Sequence, residues 1–406
     1  MADYCLIGKR LDYSYSKIVH NKLGYDYDLT EIKEEDLGDF VRAGGYKGFN
    51  VTIPYKKAVM PFLDRISEEA EALGVVNLVM KEEGKLVGYN MDIRGMEYAL
   101  AQTGVSLRGK KVVILGSGNT SLTAEYLAKE NGAATVVKIS RGGEDNYDNL
   151  ERHADAAYLI NTTPVGTYPG NEDRLIDLAS FPHLEGVQEV IYNPFKTRLA
   201  LQAEERGIPV ATGLDMLVGQ AAYTAEKFRG VRPSDGEIRR IVREILSEDR
   251  NIVLIGMPAC GKSTIGRALA AKLGREFVDS DEEIVKAHGE IPEIFAKEGE
   301  ETFRVYEEEV ISALTKKHRL VIATGGGAIT RERNLLNMKQ NGVLVYLTRP
   351  LEELSDEGRP LSKGGKIRAL YEKRAPIYQK AADLVIPNDK SIGEVAERIA
   401  EEVKKL

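Results

Sequence analysis

The sequence predicts an α/β protein in which two strand–glycine–helix units follow one another, and three observations carry that prediction. The first is KVVILGSGNTSLTAEYLAKENG, starting at Lys110 or Lys111, where a short Val/Ile/Leu run meets glycine and then apolar residues at helical spacing as far as Gly132. The second is NIVLIGMPACGKSTIGRALAAKLG from Asn251, which repeats the plan and stops at Gly274. The third is length and composition: 406 residues with 43% hydrophobic and 29% charged side chains suit two or three folded domains and remove disorder, collagen and disulfide scaffolds. Each apolar run reads as a parallel strand buried on both faces.

Charge and cysteine usage narrow the partners. Fifty-six basic against 63 acidic residues give a formal charge of -7, so no general attraction to nucleic acid or to an anionic membrane is expected, and small molecules are the expected partners. Cys5 and Cys260 are too few and too far apart for a metal cluster, which fits a reducing compartment, with the cytoplasm as the expected location. No apolar run approaches the roughly 20 residues of a membrane span, and Met1 to Arg10 already holds Asp3, Lys9 and Arg10 in place of a signal-peptide core. No motif sets an oligomeric state. Between the two units, Ser234 and Glu237 form a capping-box pattern opening the helix EIRRIVREIL, which is expected to end in the polar stretch SEDR at Ser247 to Arg250. The cut placed there gives domains 1–248 and 249–406.

The second domain carries the sharper chemical signal. Gly256, Gly261, Lys262 and Ser263 satisfy G-x-x-x-x-G-K-[ST] between a buried strand and a helix, where a P-loop belongs. Its glycines let successive N–H groups face one concavity, Lys262 brings a point charge to the β- and γ-phosphates, and the Ser263 hydroxyl can ligate Mg²⁺. The ATP-binding stretch is therefore Ala259, Cys260, Gly261, Lys262, Ser263 and Thr264, with the Cys260 side chain passive. Asp279 and Asp281 in FVDSDEEI are two apart, which in extended chain puts both on one side; one can hold the metal and the other orient an acceptor hydroxyl. The competing reading of Asp-x-Asp is a helix N-cap. Phe303-Arg304, Thr324-Gly325-Gly326-Gly327, Arg359 in EGRPLSKGG and Arg374 in LYEKRAPIYQKAA follow, and the three arginines suit an anionic acceptor and a lid over the phosphates.

In that order, P-loop, D-x-D, F-R, G-G-G, R-P-L and R-x-x-x-Y, the stretch Asn251 to Leu406 resembles shikimate kinase. The resemblance implies a parallel-sheet P-loop fold. It also implies that Arg304 and Arg374 grip the shikimate carboxylate, that Asp281 meets its ring hydroxyls, that Gly326 approaches the acceptor closely, and that Arg359 swings in to touch ATP. Leu351 to Glu357 departs from the family in being short and free of basic residues, where an earlier arginine usually lies near the adenine.

In the first domain, Gly116, Ser117, Gly118, Asn119 and Thr120 form GSGNT after a strand, with Ser121 where G-x-G-x-x-G has its third glycine. The next strand, ATVVKI, ends in Ser140-Arg141 and not in an acidic residue, so a 2′-phosphate, and with it NADP, is favoured over NAD. The chemistry is expected before this unit. Lys56 lies just past FNVTIPYK's β-branched run; Asn77, Asn90, Asp92, Ser14 and Ser16 are its company. A lysine and an aspartate beside a bound carbonyl can stabilise an alkoxide and pass it a proton as hydride arrives, and hydroxyls two apart in an extended loop can bind a carboxylate.

These segments, with INTTPVG at Ile160, VIYNPFKT at Val190 and GLDMLVGQAA at Gly213, resemble shikimate dehydrogenase from Leu6 to the end of the domain. The resemblance implies that Ser14, Ser16, Thr52, Asn77, Asp92, Tyr192 and Gln220 contact substrate, with Lys56 and Asp92 as the catalytic pair. It places NADP around Gly116 to Thr120, Ser140, Arg141, Gly213 and Met216. It also implies two lobes, a substrate lobe of about 1–93 with 212–248 and a Rossmann-like NADP lobe of about 94–211, with a cleft whose closure gates hydride transfer. Tyr13 and Lys17 stand where the family has His and Pro, Ser140-Arg141-Gly142 where it has N-R-T, and Asn119 where it usually has Gly; Asn tolerates positive φ and is expected to substitute on that ground. The expected function is bifunctional: NADPH-dependent reduction of 3-dehydroshikimate to shikimate, then phosphorylation of shikimate by ATP and Mg²⁺. Two other readings compete: an NAD-using quinate or shikimate dehydrogenase fused to a kinase for a related polyol acid, and a sensor of pathway intermediates without turnover.

Overall fold

The computed structural model describes residues 2–12, 14–354 and 367–406. Sixteen strands among them form three sheets. The first sheet is built from β1 (Tyr4–Gly8), β2 (Tyr27–Glu31), β3 (Gly48–Val51), β4 (Arg65–Ile66), β5 (Leu78–Glu82) and β6 (Lys85–Tyr89), in the order β2-β1-β3-β5-β6-β4. It is mixed: β1 pairs parallel with β2 and β3, whereas β5 runs antiparallel to β3 and to β6. Glu83 and Gly84 supply the positive φ that turns β5 tightly into β6.

The second sheet is wholly parallel: β7 (Lys111–Leu115), β8 (Thr135–Ile139), β9 (Tyr158–Asn161), β10 (Gly186–Glu189) and β11 (Val210–Ala211), ordered β11-β10-β9-β7-β8. Val112, Val113, Ile114 and Leu115 have no exposed surface, as a strand covered by helices on both faces requires. Helix Asp92–Thr103 leaves the mixed sheet and packs along helix Gly213–Arg229. The approach is close because Gly95 has no side chain: a Cβ there would lie 2.5 Å from the Met216 carbonyl oxygen.

The third sheet holds β12 (Asn251–Ile255), β13 (Glu276–Asp279), β14 (Leu320–Ala323), β15 (Gly342–Thr348) and β16 (Leu384–Pro387), ordered β13-β14-β12-β15-β16 and again parallel. Chain order reverses at β12, which lies between β14 and β15. Carboxyl ends of strands at such a reversal open a crevice.

The chain divides into two compact units: Met1–Val165 with Arg174–Phe195 and Leu199–Val242, and Arg243–Leu406 with Gly166–Asp173 and Lys196–Arg198. The division falls inside helix Asp235–Asp249, six residues before the cut expected from sequence. Ser234 opens that helix as its pattern predicts, accepting from Glu237 N at 3.3 Å while its own N–H reaches Glu237 Oε2 at 2.8 Å. The helix ends inside SEDR as expected: Ser247, Glu248 and Asp249 are still helical, since none of them breaks a helix, and Arg250 is the first residue past it. Among the described residues no helix is long and apolar enough to cross a membrane.

Candidate active sites

In the first unit a cleft of about 440 Å³ opens between the mixed sheet and the amino end of helix Gly213–Arg229. Ser14, Ser16, Thr52, Lys56, Asn77, Asp92, Tyr192, Gly213, Met216 and Gln220 all line it. Lys56 Nζ donates to Asp92 Oδ2 at 2.6 Å, with the two side chains 21% and 18% exposed. A chain of amides fixes the aspartate. Tyr27 OH donates to Asn50 Oδ1 (2.7 Å), Asn50 Nδ2 to the Asn77 carbonyl (3.2 Å), the Met91 N–H to Asn77 Oδ1 (2.6 Å) and the Asp92 N–H to Asn90 Oδ1 (2.9 Å). Asn77 and Asn90 therefore work through backbone, holding the first turn of helix Asp92–Thr103 so that Asp92 faces Lys56. Tyr192 packs edge-on against Tyr15, and burial raises its phenol above the ordinary range. Ser16 is already the first residue of a helix, Ser16–Lys22, and its N–H reaches Ser14 Oγ at 3.3 Å. The two serines thus line the cleft across a helix start and not along the extended loop expected.

The glycine turn of the second sheet follows β7. Gly116 has φ +111° and a Cβ there would lie 2.7 Å from Thr162 Oγ1, so only glycine fits. Ser117, Gly118 and Asn119 are exposed at the start of helix Asn119–Glu130, and nothing lies within 4 Å of a Cβ built on Gly118. That open approach to a 12-residue helix's first N–H groups suits a dinucleotide phosphate. Ser121 replaces the third glycine without obstruction, because its Oγ turns back to donate to the Gly118 carbonyl at 2.7 Å. Asn119 needs no positive φ: it is the first residue of the helix, and the expectation of a left-handed substitute is corrected. Ser140 and the exposed Arg141 sit just past β8, whose last carbonyl, at Ile139, accepts from the Gly116 N–H at 2.8 Å.

The second unit holds a cleft of about 690 Å³ lined by Ala259, Gly261, Lys262, Ser263, Thr264, Asp279, Asp281, Arg304, Gly326 and Arg374. Three residues of the turn after β12 have positive φ: Gly256 (+144°), Ala259 (+65°) and Gly261 (+98°). The buried Lys262 bonds the Gly256 and Met257 carbonyls, each at 2.9 Å. Cys260 is buried and its carbonyl accepts from Asn388 Nδ2 at 2.8 Å, so it is a structural part of the turn. Ser263 Oγ lies 2.5 Å from Asp279 Oδ2, a pair of oxygen donors that suits Mg²⁺ shared with phosphate oxygens.

Asp279 and Asp281 reach one cleft, but not as residues of one extended strand. β13 ends at Asp279, whose Oδ1 accepts the Asp281 N–H at 3.0 Å and caps helix Ser280–His288. Asp279 Oδ1 thus meets the N-cap reading, while Oδ2 of the same carboxylate faces Ser263 in the cleft. Opposite, Arg304 and Arg374 are each 6% exposed, and burial lowers the Arg374 pKa. Arg304 pairs with Glu307 at 2.8 Å and Glu300 at 3.2 Å; among the described residues Arg374 makes no ion pair. A methyl on Gly327 would run into the Arg304 guanidinium, and Tyr378 OH donates to the Gly326 carbonyl at 2.5 Å. Arg359 lies outside the described residues.

The matches to known proteins follow this division. The family model for the shikimate dehydrogenase substrate binding domain matches residues 6–79, and that for shikimate kinase matches residues 258–404. A "Shikimate dehydrogenase (NADP(+))" of Methanococcus maripaludis is 35% identical over 255 residues, covering 56% of this chain and 92% of the relative. The chain belongs to the shikimate dehydrogenase family and carries a shikimate kinase domain. A solved chorismate mutase/shikimate 5-dehydrogenase fusion protein from Clostridium acetobutylicum matches at TM-score 0.57 and 30% identity, over 60% of this chain and 97% of its own. Shikimate 5-dehydrogenase from Thermus thermophilus, solved with NADP(H) and shikimate, matches at TM-score 0.54 and 27% identity, over 60% and 99%.

Sequence reasoning missed residues in both clefts. Glu307, fully buried in the kinase cleft, was hidden in the run Glu307-Glu308-Glu309, which looks like a solvated face; its i,i+3 spacing from Arg304 was the available signal. In the dehydrogenase cleft Arg10 and Asp12 join the lining. No local pattern pointed to them.

Proposed function

We infer that this chain is a bifunctional enzyme of the shikimate pathway, an NADP-dependent shikimate dehydrogenase joined to a shikimate kinase, acting on 3-dehydroshikimate and on shikimate. The carrying observation is the pair of built clefts in one chain, one centred on Lys56 and Asp92, the other on a P-loop facing two buried arginines. NADPH supplies the hydride. Lys56, held 2.6 Å from Asp92, places its side-chain nitrogen where the carbonyl oxygen becomes an alkoxide and donates the proton that completes the hydroxyl, leaving a neutral amine that solvent reprotonates. Ser14 and Ser16 bind the carboxylate, and Tyr192 and Gln220 orient the ring. Arg141, exposed past β8, is proposed to meet the 2′-phosphate.

In the kinase cleft, Asp281 accepts the proton of the shikimate 3-hydroxyl as that oxygen bonds to the γ-phosphorus and the bond to the β-phosphate oxygen breaks. Lys262 stabilises the departing charge, Ser263 and Asp279 would hold Mg²⁺, which would screen the phosphate charge, and Arg304 and Arg374 bind the shikimate carboxylate. Glu307 keeps Arg304 in place. The NAD-using and non-catalytic alternatives are not favoured by the relatives, which are NADP-dependent dehydrogenases by name. A cytoplasmic location is proposed from the cysteine usage.

The test uses crossed substitutions in the full chain. Lys56→Ala should lower dehydrogenase turnover by about 100-fold or more and leave the kinase unchanged; Lys262→Ala should do the reverse. Wild-type reduction by Lys56→Ala would remove the first assignment, and wild-type phosphorylation by Lys262→Ala the second.

A further inference from the structure

The segment Gly166–Asp173 lies in the chain between β9 and β10, yet it is part of the second compact unit. It enters that unit through an amide cluster closed to water, in which Asn171 and Gln340 are fully buried and Asn337 nearly so. Asn171 Nδ2 donates to Asn337 Oδ1 (2.7 Å) and Gln340 Oε1 (2.5 Å), and Gln340 Nε2 donates to the Asn171 carbonyl (2.7 Å). The next residue, Glu172, is a hub. Its Oε1 accepts from Asn337 Nδ2 at 2.9 Å and from Ser312 Oγ at 3.2 Å, and its Oε2 faces Arg333 Nε at 2.7 Å. Burial acts to raise the Glu172 pKa, but Arg333, Asn337 and Ser312 outweigh it and hold the carboxyl below its ordinary range, as an ionised group.

These partners sit on two elements that shape the acceptor end of the kinase cleft. Ser312 belongs to helix Gly299–Thr315, which carries Arg304 and Glu307. Arg333 and Asn337 belong to helix Glu332–Asn341, which begins just past the turn Gly325–Thr330. On that helix Asn334 Nδ2 donates to the Ala328 carbonyl at 3.1 Å, tying helix and turn together. Gly327, inside the turn, lies against the Arg304 guanidinium. One carboxylate therefore bridges the helix bearing the acceptor clamp and the helix that holds the glycine turn opposite it. A cluster of directed hydrogen bonds favours one spacing, where apolar packing tolerates several.

We propose that Glu172, supported by Asn171, is a positioning residue for the kinase: it sets the distance between the Arg304 helix and the Gly325–Thr330 turn, and through them the affinity for the acceptor. The proposal rests on the kinase reading of this cleft. Glu172→Ala and Glu172→Gln are to be made in the full-length chain, with kinase rates measured against shikimate and ATP separately and dehydrogenase turnover measured on the same preparation. Glu172→Ala should raise the KM for shikimate about 10-fold, leave the KM for ATP within about twofold and leave the dehydrogenase unchanged. Glu172→Gln keeps an oxygen for Asn337 and Ser312 and should restore most of the loss.

An unchanged shikimate KM in Glu172→Ala overturns the proposal, as does an equal rise in both KM values, which would mean general loosening. If Glu172→Ala does not fold, Ser312→Ala decides: a selective rise in shikimate KM supports the proposal and no change overturns it. An unsubstituted chain that forms no ADP in response to shikimate refutes the kinase reading itself, whereas an active one with an unaffected Glu172→Ala refutes this inference alone.

Discussion

Glu307 shows how one buried side chain ties pH to both stability and site geometry. Burial pushes its carboxyl up to about 7 from the ordinary 4.5, and the neighbouring Arg304 only partly offsets this. A carboxyl whose pKa is higher folded than unfolded contributes stability that is complete below 4.5 and is lost as the pH rises through about 7. Against Glu307→Gln, which does not titrate, the second unit should therefore lose about 2–3 kcal/mol of stability between pH 5 and pH 8. Denaturation of both proteins at constant salt, following the transition that ATP shifts upward, checks this; a flat difference across that range contradicts it. Lys56 and Asp92 were legible from sequence because each sits beside a recognisable run, FNVTIPYK or GYNMDIRG. Glu307 was not, since its burial comes from the packing of helix Gly299–Thr315 and leaves no mark on its own segment.

Among the elements, the glycine turns were read correctly as turns, because positive φ and close approach are local needs that leave a local signature. What sequence misjudged was conformation one or two residues beyond a turn. Asn119 and Ser16 belong to helices, and Asp281 follows a strand end and not a strand. For Asp281 the error came from extending the strand across a boundary where the Asp279 cap starts a helix. The close packing of helix Asp92–Thr103 on helix Gly213–Arg229 yields a prediction. Gly95→Val places atoms where the Met216 carbonyl already lies 2.5 Å from a Cβ, and backbone cannot yield as a flexible side chain does. The cost should be about 1–3 kcal/mol in thermal unfolding of the first unit, with dehydrogenase turnover falling because Asp92 starts one of the two helices. Unaltered stability would show that the pair can slide apart freely.

For the whole molecule, two clefts stand in two compact units of one chain, and the product of the first reaction is the substrate of the second. The strand–glycine–helix landmarks at Lys111 and Asn251 made both sheets legible, since parallel strands covered on both faces must be short and apolar. Membership of Gly166–Asp173 and Lys196–Arg198 in the second unit was illegible. It depends on side chains some 140 to 170 positions apart, such as Glu172 with Ser312 and Asn171 with Gln340, and no period or local motif encodes such pairings. The central claim is that one polypeptide reduces and then phosphorylates the same small acid. The direct test is to incubate the purified chain with 3-dehydroshikimate, NADPH, ATP and Mg²⁺ and to identify the products by mass. Shikimate 3-phosphate should accumulate, with shikimate as the intermediate when ATP is omitted; failure to form shikimate, or formation of shikimate that is never phosphorylated, would contradict the account.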